Sequence, residues 1–193
     1  MEPSTLQART QVAALDGIRP LIELLASDDA KVLTGTGSAL FNLCLDSSFA
    51  LSVRQLGALP KLQSLMDHSD LSVAASVTGV LMNCCASSEA CRDDLADKGL
   101  LAQVLALLTR SEMTGTQKDL AHAAKAGDEV LAAALGLLNN LLLHSESARK
   151  LRHLGGLSQL MRLLKTRAFS ARARPSNPKP SPLAPTPGTR PSP

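Results

Sequence analysis

The sequence predicts an all-α protein built as a solenoid of stacked helical repeats, and three observations predict it. An Asn that closes an apolar helical pattern is followed sixteen residues later by a small residue at three places, Asn42 to Ala58, Asn83 to Gly99 and Asn140 to Gly156. Self-similarity at a period near 40 residues is the mark of a repeat in which each unit buries its apolar face on its neighbours. Trp and Tyr are absent and Phe occurs three times. A core without large aromatics must be assembled from many Leu, Ala and Val contacts between helices, and Leu and Ala are strong helix formers. Finally, the apolar residues fall at helical spacing in short segments separated by Ser, Asp and Gly, which gives three helices per unit.

In chain order, residues 4–15 carry Leu6, Val12, Ala13 and Leu15 as a first helix, and Ile18 to Leu25 form a short second one with Pro20 in its first turn, where a missing N–H is harmless. Asp28 and Asp29 cap a third helix from about Lys31 to Leu45. The next unit repeats each step: caps at Ser47 and Ser48, a first helix to Leu56, a second from Leu59 to Met66, and a third from Leu71 to Cys85 behind Ser69 and Asp70. The third unit opens at Ser87 and Ser88, gives helices through Leu95 and from Leu100 to Leu108, then carries an insertion at 110–127 before a third helix from Val130 to Leu143. The insertion is polar at first (Ser111, Thr114, Gly115, Thr116) and then weakly helical through Leu120, Ala121, His122 and Ala124, and between helices of a solenoid it is expected as a surface loop on one face. The fourth unit has caps at Ser145 and Ser147, a first helix through Leu154 and a second from Leu157 to Leu164, with no third. The predicted organisation is thus a solenoid over 1–165, with repeats at about 4–45, 46–86, 87–144 and an incomplete 145–165, about three and a half units. Residues 166–193 form a basic, Pro-rich tail, expected to be disordered because eight of its last nineteen residues are proline.

Charge argues about partners. The tail holds five of the twenty Lys and Arg side chains and no acid, which leaves fifteen bases against seventeen acids in 1–165, a balance of −2. A slightly acidic folded part lacks the cationic face that phosphate binding needs, so no nucleic-acid partner is expected. The longest apolar run, Val130 to Leu138, is too short to cross a bilayer, and no secretory leader opens the chain, so no membrane insertion and a cytoplasmic location are expected. Cys44, Cys84, Cys85 and Cys91 lie within apolar helical patterns without paired C-x-x-C spacing and read as buried reduced thiols. His68, His122, His144 and His153 fall on different units without i, i+4 pairing, and no phosphate-cradling or nucleophile motif sits in a strand-to-helix context. No catalysis, metal, cofactor or small-molecule substrate is therefore expected. The P-x-x-P strings Pro175 to Pro178 and Pro182 to Pro185 are what any proline-dense stretch contains.

The run Gly57-Ala-Leu-Pro-Lys-Leu-Gln-Ser-Leu-Met66, followed by Asp70 to Asn83 and a small residue sixteen positions on, resembles the armadillo repeat, as do the lines opened by Gly17, Gly99 and Gly156. The resemblance covers about residues 4 to 165 and implies a right-handed armadillo-type α-solenoid that binds a protein or peptide partner. It further implies a groove lined by the third helices, with an extended peptide held by the asparagines near their ends, here Asn42, Asn83 and Asn140. A carboxamide both donates and accepts, so it pairs with a peptide backbone whatever the side chains. The same asparagines would also serve by bonding a neighbouring repeat's backbone, and the two roles are compatible. Importin-type members carry Trp four residues before each Asn to clasp basic side chains, whereas this chain has Ser38, Gly79 and Gly136 there. A basic localisation signal is then not the expected ligand, and glycine at those places implies a wider groove floor. The helices also resemble the carboxy-terminal armadillo half of proteins that join a tetratricopeptide domain to such repeats, which implies an assembly or co-chaperone role toward motor complexes such as dynein. The competing expectation is a truncated product without independent binding activity.

Overall fold

The computed structural model describes residues 11–12, 15–96, 99–113 and 120–173, with no strand among them. Ten helices follow in order: α1 (Ile18–Leu24), α2 (Ala30–Leu43), α3 (Ser47–Gln55), α4 (Leu59–Leu65), α5 (Leu71–Ser87), α6 (Glu89–Ala96), α7 (Leu100–Met113), α8 (Leu120–Leu141), α9 (Ser145–His153) and α10 (Gly156–Ala173). The predicted first helix at 4–15 lies almost wholly outside the described residues, as do 174–193 of the predicted tail. The architecture is an α-solenoid in which α2, α5 and α8, the third helices of successive units, pack side by side with α5 in the middle. That position explains α5's composition. Val73, Val77, Val80, Leu81 and Cys84 are fully buried, since neighbours cover the helix on most of its circumference.

The caps follow acid side chains rather than the expected serines in one unit. Asp29, Asp46 and Asp70 accept hydrogen bonds from the backbone N–H of Lys31, Ser48 and Ser72 at 2.7, 2.9 and 2.7 Å. Ser47 and Ser48 are thus inside α3, and at α9 the capping position is His144, whose side chain makes no capping bond. At the third unit Ser88 Oγ does accept from Cys91 N at 3.3 Å.

The small residue at the turn between first and second helices has a sharper cause than the sequence showed. Gly57, Gly99 and Gly155 adopt φ of +70, +74 and +68°, and Asp16 takes the same place at +48°. At Gly57 the N–H donates to Arg54 O at 3.0 Å and the N–H of Ala58 to Val53 O at 3.1 Å, the paired bonds that end a helix through a left-handed residue. Equivalent positions are therefore Asp16, Gly57, Gly99 and Gly155, not Ala58, Gly99 and Gly156. One extra residue in the third unit had brought Gly99 into apparent register with Ala58. A Cβ at Gly57 would meet nothing within 4 Å, so its substitution isolates the backbone cost. Gly57→Ala is expected to lower unfolding free energy by about 1–2 kcal/mol, read by urea denaturation, the penalty of the left-handed region for an L-residue. An unchanged midpoint would show that the turn tolerates another conformation.

Of the predicted insertion, 110–113 and 120–127 are helical, as parts of α7 and α8, and 114–119 lie outside the described residues. Relative to the second unit, α7 runs six residues past the equivalent of Leu65 and α8 begins eight residues before the equivalent of Leu71. The connection, 114–119, is one residue longer than 66–70, and with the extra residue before Gly99 these make up the sixteen by which the third unit exceeds the second. The cause is local. Leu120-Ala-His-Ala-Ala-Lys-Ala has high helix propensity and no breaker, so the helix passes through Asp128 instead of starting there. Likewise α10 continues to Ala173, past the predicted end at Leu164 and eight residues into the segment assigned to the tail. No proline interrupts it before Pro175.

All four cysteines are buried at 0% exposure and unpaired by disulfides. The thiol of Cys84 lies within hydrogen-bonding reach of those of Cys44 and Cys91, so three units of the stack meet at a chain of sulfurs. Burial pushes the Cys85 thiol up to about 12, while hydrogen bonding to Cys44 raises Cys84, and hydrogen bonding to Cys84 raises Cys91, above the ordinary thiol range.

Candidate functional site

The third helices expose a cleft of about 570 Å³ across α2, α5 and α8. Phe41 and Met82 form its apolar walls, and Ala75, Gly79, Ala132 and Ala133 keep its floor low. Its polar groups are Asn42 and the hydroxyls of Thr34, Ser38, Ser72 and Ser76. Three of those hydroxyls donate back to their own helix: Thr34 to Ala30 O at 2.8 Å, Ser38 to Thr34 O at 2.9 Å and Ser76 to Val73 O at 2.9 Å. Their protons are committed, so what remains is oxygen lone pairs. Glu129 is the one charged residue of the lining, and it pairs with Lys125 one turn away at 3.6 Å.

The three asparagines divide into two kinds. Asn83 Nδ2 donates to Phe41 O at 2.9 Å and Asn140 Nδ2 to Met82 O at 2.9 Å. Each reaches the residue just before the preceding unit's own Asn. Phe41 lies in the last turn of α2, where carbonyls have lost their intrahelical donors, so Asn83 completes the end of a helix one repeat away. Among the described residues, no third helix precedes the one that carries Asn42. That residue is exposed, lines the cleft, and its carboxamide makes no hydrogen bond among the described residues.

The glycines four residues before Asn83 and Asn140 receive the side chains of those same two residues. A Cβ on Gly79 would stand 2.9 Å from the Phe41 ring, and one on Gly136 would stand 2.3 Å from Met82 Sδ. The space expected to widen the groove for a ligand is therefore filled from within the chain. Of the six residues pointed to by the sequence, Asn42, Ser38 and Gly79 line the cleft, whereas Asn83, Asn140 and Gly136 lie outside its lining and join adjacent helices. Sequence reasoning missed Phe41 and Met82, although each immediately precedes an Asn of the series. It also missed the hydroxyl row, which helical spacing places on one face: Thr34 and Ser38, Ser72 and Ser76.

No family model matches the chain. Among solved structures, a designed armadillo repeat protein is 17% identical, with a TM-score of 0.54 over 81% of this chain and 78% of its own. The fold is armadillo-repeat-like. A second designed armadillo repeat protein, solved in complex with the peptide (KR)4, is 17% identical with a TM-score of 0.53, covering 81% of this chain and 77% of its own. An engineered protein aligns at a TM-score of 0.64 and 21% identity over 82% of this chain, which spans 35% of that larger molecule. At these identities the likeness is one of fold. Among the described residues, no helix of the armadillo-like solenoid is long and apolar enough to cross a membrane.

Proposed function

We propose that the cleft over α2, α5 and α8 binds an extended, largely uncharged segment of a protein partner, without catalysis. The observation that carries this reading is Asn42, an exposed carboxamide beside a row of hydroxyl oxygens whose protons are already given away. Such a surface accepts hydrogen bonds, and a peptide backbone presents N–H donors at regular intervals. The neighbour holding (KR)4 supports peptide binding on this fold, but a ligand of that charge would here find one acid, already paired with Lys125, and no Trp in the chain. In this reading Asn42 and Ser38 face the ligand, while Gly79, Gly136, Asn83 and Asn140 set the spacing of the third helices that frame it. Selection from a random peptide display library tests it. Ligands rich in Ser, Thr, Asn and small apolar residues are expected, and Ala132→Trp should abolish their binding. Asn42→Ala should weaken them by about five- to tenfold, one hydrogen bond's worth. Recovery of Lys and Arg repeats, or affinities unmoved by both substitutions, would refute it. The finer assignment, a cytoplasmic assembly or co-chaperone factor for motor complexes such as dynein, is supported by the resemblance to tetratricopeptide–armadillo proteins, and co-purification with dynein components that Ala132→Trp abolishes is its test.

A further inference from the structure

We infer that the outer face of α9 and α10, the last two helices among the described residues, docks an acidic amphipathic helix of a partner protein. The inference concerns a surface separate from the cleft and stands without it. It starts from one position compared across units. Counted from the left-handed glycine, Leu157, Met161 and Leu164 of α10 are equivalent to Leu59, Gln63 and Met66 and to Leu101, Leu105 and Leu108. In the second unit these side chains are 2%, 9% and 0% exposed and in the third 5%, 4% and 1%, whereas on α10 they are 53%, 55% and 63% exposed.

Helices cover them in an inner unit. The second unit's face packs on its own third helix, α5, and α7 of the next unit also reaches it: Gln63 Nε2 donates to Gln103 Oε1 at 2.7 Å, and an Arg110 guanidinium nitrogen donates to Met66 O at 3.3 Å. The i, i+4, i+7 stripe on α10 therefore has the shape that a helix seats on, repeated twice elsewhere in the same molecule.

Charge selects the occupant. Arg162 and Lys165 sit beside the stripe with Leu157 and Met161. Over 145–173 the sequence has seven Lys and Arg and a single acid, Glu146, which pairs with Arg149 at 3.5 Å. A partner helix with glutamates flanking its apolar face is drawn to this surface and oriented on it. A second copy of the chain presenting the same surface would bring like charges together. Residues 175–193, with eight prolines and no acid, do not have the sequence of such a helix. An anionic membrane shares the charge preference, but interfacial binding scales with buried apolar area, and three half-exposed side chains offer little of it.

The test uses the whole chain and a fluorescein-labelled peptide of about 18 residues, five helical turns, with Leu at every third and fourth position and Glu elsewhere. Fluorescence anisotropy should report micromolar binding that weakens as salt rises. The triple variant Leu157→Ser, Met161→Ser, Leu164→Ser and the charge reversal Arg162→Glu, Lys165→Glu should each weaken it by about tenfold or more. Asn42→Ala and Ala132→Trp should leave it unchanged, and a peptide with Lys in place of Glu should not bind. These α10 side chains are exposed, and an unaltered circular dichroism melt will show the variants folded. Absence of binding at about 1 mM peptide, or binding that survives both α10 variants, overturns the proposal. So does a chain that ignores the peptide yet binds vesicles of phosphatidylcholine and phosphatidylserine in roughly a 3:1 ratio, or self-associates in sedimentation, through the same residues.

Discussion

Above pH 9 the protein is expected to lose unfolding free energy at about 4 kcal/mol per pH unit, a slope set by three thiols. Cys84, Cys85 and Cys91 are buried at 0% exposure, and each holds its proton to a higher pH in the folded state than the ordinary value of 9.0. Between that value and about 12, where Cys85 titrates in the folded protein, the unfolded chain releases protons that the folded one keeps. Stability therefore falls as pH rises, the contribution being fully present below pH 9 and lost above it. Each such group contributes about 1.4 kcal/mol per unit, so a domain of typical stability, about 5–15 kcal/mol, should unfold within one to four units of pH 9. Circular dichroism follows the unfolding and absorbance near 240 nm follows the thiolates, and with no Tyr in the chain no tyrosinate overlaps. The two signals should move together. Thiolate appearing near pH 9 with the helices intact would show that the thiols are accessible and the argument wrong. In the same sense, a thiol-reactive probe should label none of the four cysteines at neutral pH until denaturant is added.

Gly79→Leu should lower stability by about 2–3 kcal/mol, although leucine is the better helix former by nearly 1 kcal/mol. The side chain has to enter space held by the Phe41 ring, 2.9 Å from where its Cβ would stand, and α2 is pushed away from α5. Adding Phe41→Ala should recover part of the loss, because leucine then fills the volume the ring leaves. A double-mutant cycle measures this, with a favourable coupling of about 1 kcal/mol or more expected for side chains in contact. Strict additivity would mean that Gly79 and Phe41 do not compete for the same space. Asn83→Ala belongs beside it: leaving Phe41 O without its donor should cost about 1–3 kcal/mol.

The helical repeats were legible in the sequence because periodic apolar residues and acidic caps act locally, within a turn or two. What each Asn does was not, since its bond spans 42 or 58 residues and depends on how neighbouring units settle against each other. The Asn-to-small-residue spacing was a sound sign of the repeat, yet it blurred two separate demands: a lateral carboxamide, and a left-handed residue whose identity as Gly57, Gly99 or Gly155 follows from φ alone. Within the insertion, the helical character from Leu120 to Ala124 was legible, but its continuity with the third helix through Gly127 and Asp128 was not. At the cleft, Asn42 and Ser38 were reachable from the armadillo resemblance. The filling of the Gly79 and Gly136 spaces by Phe41 and Met82 was not, because their place before an Asn does not tell which neighbouring repeat their side chains enter.

Six long-range side-chain bonds to a backbone carbonyl of another unit run the same way. Asn83 reaches Phe41, Ser87 reaches Cys44, Cys91 reaches Ala50, Arg110 reaches Met66, Asn140 reaches Met82 and Gln159 reaches Leu105, each from a later unit to an earlier one. On the ribosome this ordering becomes a schedule. A helix such as α2 leaves the exit tunnel with the Phe41 carbonyl unmatched and waits for Asn83, 42 residues behind it. At about 5–20 residues per second that is an interval of roughly 2–8 s. Each unit is thus finished only when the next has been made, in chain order.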